Sequence, residues 1–250
     1  MALSKNRIKY IRSLELKKNR KADKVFLAEG PKLVGDLLGH FRCRFLIATA
    51  EWLSAPRQLP VEDITEVSEK ELSCASLLKT PQQVLAVFEQ PDEVMDASVV
   101  AHSLCLALDD VQDPGNLGTM FRTAEGAGMS GVVLSSGCVD LFNPKVVRST
   151  MGAMFRVPFY ICESMSEEMK QLQNQSFHFY AAHLQGKKNF REETYDGRIG
   201  ILIGNEANGL SDEVTALADK KVIIPMEGEL ESLNAAVSAA LLMYEVQRNR

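Results

Sequence analysis

The sequence predicts an α/β protein made of two units, and three observations carry that prediction. Short apolar runs alternate with amphipathic segments along almost all of its 250 residues. A polar stretch containing Pro91, QPDEVMDAS, interrupts the alternation and reads as a linker. Beyond it, SLCLALDDV (103–111) and RIGILIGN (198–205) are almost continuously apolar, as strands buried on both faces of a parallel sheet are.

The first unit, residues 1–95, opens on an amphipathic helix over 4–18, with Ile8, Ile11 and Leu14/Leu16 on one side. A strand VFLAEG (25–30) follows, then a helix PKLVGDLLG (31–39) with Pro31 at its start and Gly39 near its end. RFLIAT (44–49) and ITEVS read as strands, EKELSCASLL as a helix and QVLAVFE (83–89) as a strand. The second unit, 103–250, begins with the strand 103–111 and a helix over 116–128. GVVLSSG is a strand, and a Pro-containing stretch leads through Phe155 to the strand VPFYIC. Helix 166–174, strand HFYAAHL, strands RIGILIGN and KVIIP, and a last helix from Ser232 complete it. Strands alternating with helices give a parallel sheet with helices on both faces. There are no internal repeats and no low-complexity segments.

Composition narrows the function classes. No apolar run approaches the roughly 18 residues that span a bilayer, and the N-terminal residues carry charges throughout with no apolar signal region. A cytoplasmic protein with no membrane contact is the expectation. Cys43, Cys74, Cys105, Cys138 and Cys162 are scattered, with no CxxC pair and no nearby histidine, so they read as small buried hydrophobes and no metal site is expected. The net charge of −5 argues against nucleic acid when taken alone. Its distribution argues the other way: residues 1–24 carry nine Lys/Arg against Glu15 and Asp23, a net +7 that leaves −12 on the remainder.

Three motifs carry chemistry. In the first, DDVQDPGNLGTMFRTAEGAG, a glycine-containing turn follows a strand and opens a helix, which presents free N–H groups. Asn116 is of a type that caps helices, and Arg122, almost two turns on, is read as roughly sharing a side of the helix with the turn. In the second, ILIGNEANGLS, an apolar strand runs into Gly204, which allows close approach of a ligand, and Gly209 permits a tight exit. Glu206 sits at the carboxyl end of that strand, where open α/β sheets place ligands; capping of the helix near Ser211 is its alternative role. The third places Ile224-Pro225-Met226 before the acidic connector EGELE and then Ser232-Leu233-Asn234, with Ser232 a natural N-cap for the last helix. His178 and His183, five apart on a strand, face opposite sides and read as core or surface residues. Ser135-Ser136 and Ser149-Thr150 have no partner histidine, so a hydrolase triad is unsupported. A dehydrogenase fails for want of GxGxxG.

The three motifs, in this order and spacing, resemble those of the SpoU-type (TrmH-like) RNA 2′-O-ribose methyltransferases of the SPOUT superfamily. The resemblance implies a C-terminal parallel-sheet domain with a deep trefoil knot, preceded by a small L30e-like α/β domain that contacts RNA. KVFLAEGPKLVGDLL and TPQQVLAVFEQ are the recognisable pieces of that first domain. The resemblance further implies S-adenosyl-L-methionine as cofactor, rRNA or tRNA as partner, and a homodimer. On it, the backbone at Gly204, Ile224 and Leu233 cradles the cofactor, while Asn116, Arg122, Glu206, Ser232 and Asn234 face the catalytic pocket, and a site shared across the dimer would let Arg122 act on cofactor held by the other subunit. Arg122 binds the adjacent phosphate and stabilises the developing alkoxide, with that phosphate or Glu206 taking the proton. The acidic catalytic unit departs from the family pattern, and Lys145, Arg148 and Arg156, or Lys187, Lys188 and Arg191, are candidates for a local basic patch. The competing expectation is an RNA-binding ribosome-assembly protein that keeps this fold without catalysis.

Overall fold

The computed structural model describes residues 3–56, 59–91 and 102–249, so most of the linker QPDEVMDAS lies outside the described residues. The chain divides into two compact units: Met1–Glu93 with Asp140–Phe155, and Val94–Val139 with Arg156–Arg250.

In the first unit the predicted helix over 4–18 is two helices, α1 (Lys5–Ser13) and α2 (Lys17–Asp23). Ile11 and Leu14 are buried, but Leu16 is exposed and extended as the cap of α2. Arg20 explains the break. It is 1% exposed and donates through Nη1 to the carbonyls of Leu14 (2.7 Å) and Glu15 (2.6 Å), which the interrupted helix leaves free. Its Nε donates to Asp140 Oδ2 at 3.1 Å. Four strands follow, β1 (Val25–Glu29), β2 (Cys43–Ala48), β3 (Ile64–Glu66) and β4 (Val84–Glu89), in the order β1-β4-β2-β3. β4 is antiparallel to β1 and β2, and β3 is parallel to β2. Between them lie α3 (Pro31–Leu37), the short α4 (Ala50–Leu53), which no periodicity announced, and α5 (Glu69–Ala75), opened by a Ser68/Glu71 capping box. The Pro-containing stretch of the sequence forms α7 (Pro144–Ser149) and the short α8 (Ala153–Arg156), and Phe142 packs on Phe26 with ring centroids 5.3 Å apart.

The second unit is a seven-stranded sheet: β5 (Leu104–Leu108), β6 (Gly131–Ser135), β7 (Phe159–Cys162), β8 (Phe177–Ala182), β9 (Lys188–Asn189), β10 (Arg198–Ile203) and β11 (Lys220–Ile223). The order is β7-β6-β5-β10-β8-β11-β9, and every neighbouring pair is parallel. The two-residue β9 is too short for any alternation to announce it in the sequence. Cys105, Ala107, Phe177, Phe179, Ala181 and Leu202 point to one face and pack against α9 (Met165–Gln173) and α10 (Asp212–Leu217). The alternate residues point to the other face, where α11 (Ala235–Arg248) packs on β10 and against α6 (Pro114–Gly126). Among the described residues no helix is long and apolar enough to cross a membrane, and no three His, Cys, Asp or Glu cluster as metal ligands would.

β11 is inserted between β8 and β9, although it follows both in sequence. The connection from β8 to β9 therefore passes over the chain at Val222–Ile223. His183 N donates to Val222 O at 3.0 Å, and a side-chain Cβ at Gly186 would lie 2.5 Å from the Val222 carbonyl carbon. Only glycine allows this close crossing.

Candidate active site

The carboxyl ends of β5, β8, β10 and β11 carry four loops, and long-range hydrogen bonds tie them together. Asp109, at the end of β5, is buried and accepts from Ser211 N (3.0 Å) and Ser211 Oγ (2.8 Å). Asp110 has a left-handed backbone (φ 58°), and its carbonyl accepts from Asn205 Nδ2 at 2.9 Å. The loop after β10 thereby docks on the loop after β5.

Helix α6 begins at Pro114, two residues before the expected 116, and its N-cap is Asp113, whose Oδ1 accepts from Asn116 N at 2.8 Å. Asn116 is therefore not the cap, which frees its side chain. Asn116 Nδ2 donates to Glu206 Oε1 at 2.9 Å. The same carboxylate accepts from Asp113 N (3.1 Å) and Gln112 N (3.0 Å). Glu206 thus clamps the start of α6 and does not cap α10, where Ser211 holds the cap position. Asn116 Oδ1 in turn accepts from Asn234 Nδ2 at 2.9 Å. Asn234 Oδ1 accepts from Ala236 N (2.9 Å) and Val237 N (3.3 Å), so Asn234, and not Ser232, caps the last helix.

A cavity of about 370 Å³ opens among these loops, and Gly204, Glu206, Ile224, Ser232 and Leu233 line it together with His183, Met226 and Ser238. Gly204 is indispensable to its shape: a Cβ there would lie 2.2 Å from Gly209 C and Leu210 N. Beyond it, Asn205 and Gly209 exchange backbone bonds of 2.9 Å in both directions, a turn closed by Gly209 at φ 72°. Asn116 and Asn234 line a second groove, about 900 Å³ along α11, with Val237 and Tyr244.

Arg122 lines neither space. It is exposed and makes no hydrogen bond or ion pair among the described residues. The expectation that it shares a side of α6 with the turn is corrected by helix geometry, since six residues advance about 600° and leave it about 120° around the axis. Of the candidate basic patches, Arg156 is paired with Glu125 (Nη2–Oε2 3.0 Å) and Lys188 with Glu193 (3.4 Å), while Arg191 lies over the Phe190 ring at 5.4 Å.

Two ionisable groups at the cavity are perturbed. Burial raises the Glu206 carboxyl, but donation from Asn116 and from the Gln112 and Asp113 N–H groups outweighs it, and the pKa ends below the ordinary value. Burial, and then the charge of Lys221, lowers the His183 imidazole. His183 was read as a core or surface residue from the sequence; strand alternation could not place it, because β8 ends at Ala182.

A parallel α/β sheet with a glycine-floored cavity at the carboxyl ends of its central strands defines a cofactor-binding domain, and the volume is within the usual range for small-molecule sites of about 300–1,000 Å³. Two carboxylates in its lining, Glu206 and Glu231, suit a cationic ligand. The chain belongs to the SpoU rRNA Methylase family, which matches residues 103–244. Residues 5–86 match the MRM3-like substrate binding domain. The chain is 32% identical over 242 residues to the 23S rRNA (guanosine(2553)-2′-O)-methyltransferase RlmP of Bacillus subtilis, covering 96% of each. It is similar to the AdoMet-bound rRNA methyltransferase of Sinorhizobium meliloti (32% identity, TM-score 0.86, 99% and 96% covered). A TrmH-family chain from Porphyromonas gingivalis superposes over 100% of both chains, with 37% identity and TM-score 0.91.

Proposed function

We propose that this protein methylates a ribose 2′-hydroxyl of RNA, with rRNA the favoured substrate, using S-adenosylmethionine. One observation carries the reading: the Glu206–Asn116–Asn234 hydrogen-bond chain joins all three motifs between the cavity and the groove along α11. The cofactor fits that cavity through the backbone at Gly204, Ile224 and Leu233, where the missing Cβ of Gly204 lets the Gly209–Leu210 backbone pack close and shape the cavity wall. When bound, S-adenosylmethionine supplies the electrophilic methyl carbon.

The chain's own residues must then orient the hydroxyl, exclude water and stabilise the negative charge that develops on its oxygen as the proton leaves. Glu206 is a poor base: its carboxylate is occupied by three donors and its pKa is depressed. Arg122 stays cationic at all working pH and cannot be the base either. It binds the adjacent phosphate and stabilises the developing alkoxide, and an RNA phosphate oxygen, itself no stronger a base than Glu206, only relays the released proton to solvent. Asn116 and Asn234 hold the entrance of the site in shape.

Arg122 is exposed and does not line the cavity of its own chain, so a homodimer in which it serves the partner's cofactor fits the geometry. The groove along α11, with Val237 and Tyr244 half exposed, is the surface that would seat the second copy. The Gly186 crossing supports a trefoil knot formed as β11 and α11 pass beneath the β8–β9 connection. Residues 1–95 are assigned to RNA binding and 103–250 to catalysis, supported by the extents of the two family matches. Free cysteines at all five positions accord with the cytoplasm. The relatives are named as methyltransferases, which leaves the non-catalytic alternative without support.

The test is ribose-methylation mapping of rRNA and tRNA from a deletion strain. A single 2′-O-methyl mark should vanish and return with the wild-type gene but not with Arg122→Ala. A complete set of marks in the deletion strain would refute the activity.

A further inference from the structure

His183 has no place in the three motifs, yet its side chain lines the cavity beside Gly204, Ile224 and Leu233. The crossing of β11 fixes its backbone, because His183 N donates to Val222 O at 3.0 Å and His183 O accepts from Gly186 N at 2.9 Å. Its ring is fixed as well: Nδ1 accepts from Gln185 N at 3.1 Å. An imidazole nitrogen that accepts carries no proton, so in the neutral ring the proton resides on Nε2.

Two other polar side chains of the lining, Glu206 and Asn205, are already committed. Glu206 receives three donors, and Asn205 donates to Asp110 O while its Oδ1 accepts from Ala207 N and Asn208 N. The neutral Nε2–H of His183 is a donor on a rigid support. Cationic groups of the cofactor, its sulfonium and ammonium, cannot accept a hydrogen bond. A carboxylate prefers a cation to a neutral donor. An uncharged acceptor on the purine or the ribose suits a neutral imidazole.

We propose that His183 is a binding residue for the methyl donor, its Nε2–H donating to an uncharged acceptor on the nucleoside half. The proposal rests on the cofactor reading above and adds a contact to it.

Calorimetry with S-adenosylmethionine, S-adenosylhomocysteine and 5′-methylthioadenosine tests it on wild type, His183→Ala and His183→Gln. The alanine variant should weaken all three ligands by a similar factor, roughly tenfold for one lost hydrogen bond. The glutamine variant, which restores an N–H donor, should recover most of the loss. In the wild type, the ¹⁵N resonance of His183 Nε2 should shift when S-adenosylhomocysteine is added. Unchanged affinity in His183→Ala overturns the proposal. So does a loss confined to the two amino-acid-bearing ligands, or a silent Nε2 resonance on saturation. A wild type that binds none of the three would instead refute the cofactor reading itself.

Discussion

Asn116 and Asn234 lie 118 residues apart, and Asn234 Nδ2 donates to Asn116 Oδ1 at 2.9 Å. Each amide uses both ends. Asn116 also donates to Glu206, and Asn234 also caps α11, so motif one sits between motif two and motif three. Two substitutions separate these roles. Asn234→Ala removes cap and link together and should cost about 1 kcal/mol of stability. Asn234→Asp keeps the capping oxygen but loses the donor to Asn116. Its melting temperature should stay near wild type while methylation falls; equal activity in Asn234→Asp and wild type would show that the link is dispensable.

How much of this was legible in the sequence depends on how local each cause is. Gly204, Glu206 and Asn116 could be picked out because a strand, a turn and a helix start are written in consecutive residues. The caps could not. Both Asp113 and Asn116 can cap a helix, and what settles the choice is that Asn116 is drawn away by Glu206, 90 residues further on. Ser232 and Asn234 pose the same ambiguity, settled by a partner in another motif. Arg122 was misplaced because six helical residues were counted as nearly two turns, which fixes height along α6 but not direction around it.

Arg122→Ala is expected to lower methylation by at least about a hundredfold, as for removal of a group that stabilises transition-state charge. S-adenosylmethionine affinity should be nearly unchanged, because Arg122 lies outside the lining of the cavity. If the site is completed across a dimer, refolding Arg122→Ala together with a donor-binding variant should restore part of the activity. No recovery in the mixture would place both functions on one chain.

Gly204→Ala is the donor-binding variant to use. Its Cβ would meet Gly209 C and Leu210 N at 2.2 Å, and these are backbone atoms that cannot rotate away. Overpacking of this kind costs about 1–3 kcal/mol. Thermal denaturation and calorimetry should show a lowered melting temperature and no measurable cofactor binding. Normal affinity in a folded Gly204→Ala protein would contradict the close packing of this turn.

Glu206 makes a prediction in pH. Its pKa in the folded chain is below the ordinary carboxyl value, so its contribution to stability is complete above the unfolded pKa and is lost as pH falls through the folded one. The melting-temperature gap between wild type and Glu206→Gln should therefore be widest at neutral pH and narrow below about pH 4. A Glu206 acting as the base at neutral pH would instead give a rate limb near pH 6–7 that Glu206→Gln abolishes. The depressed pKa and the three donors argue for the first outcome.

The ion pair between Arg20 and Asp140 is the strongest stability test in the first unit. Arg20 is 1% exposed, and its guanidinium reaches Asp140 Oδ2 from both Nε and Nη2 while Nη1 serves two carbonyls. Asp140→Ala would leave that charge buried without its counter-ion, which costs about 3–5 kcal/mol when one partner of a buried pair is removed. Replacing both residues by apolar ones removes the stranded charge but also the ties to Leu14 O and Glu15 O that hold the break between α1 and α2. Arg20→Met with Asp140→Ala should therefore recover only part of the loss. Chemical denaturation of the wild type, Asp140→Ala and the double variant reads the difference: full recovery in the double variant would mean that the carbonyl bonds contribute nothing, and the break in the helix would need another cause.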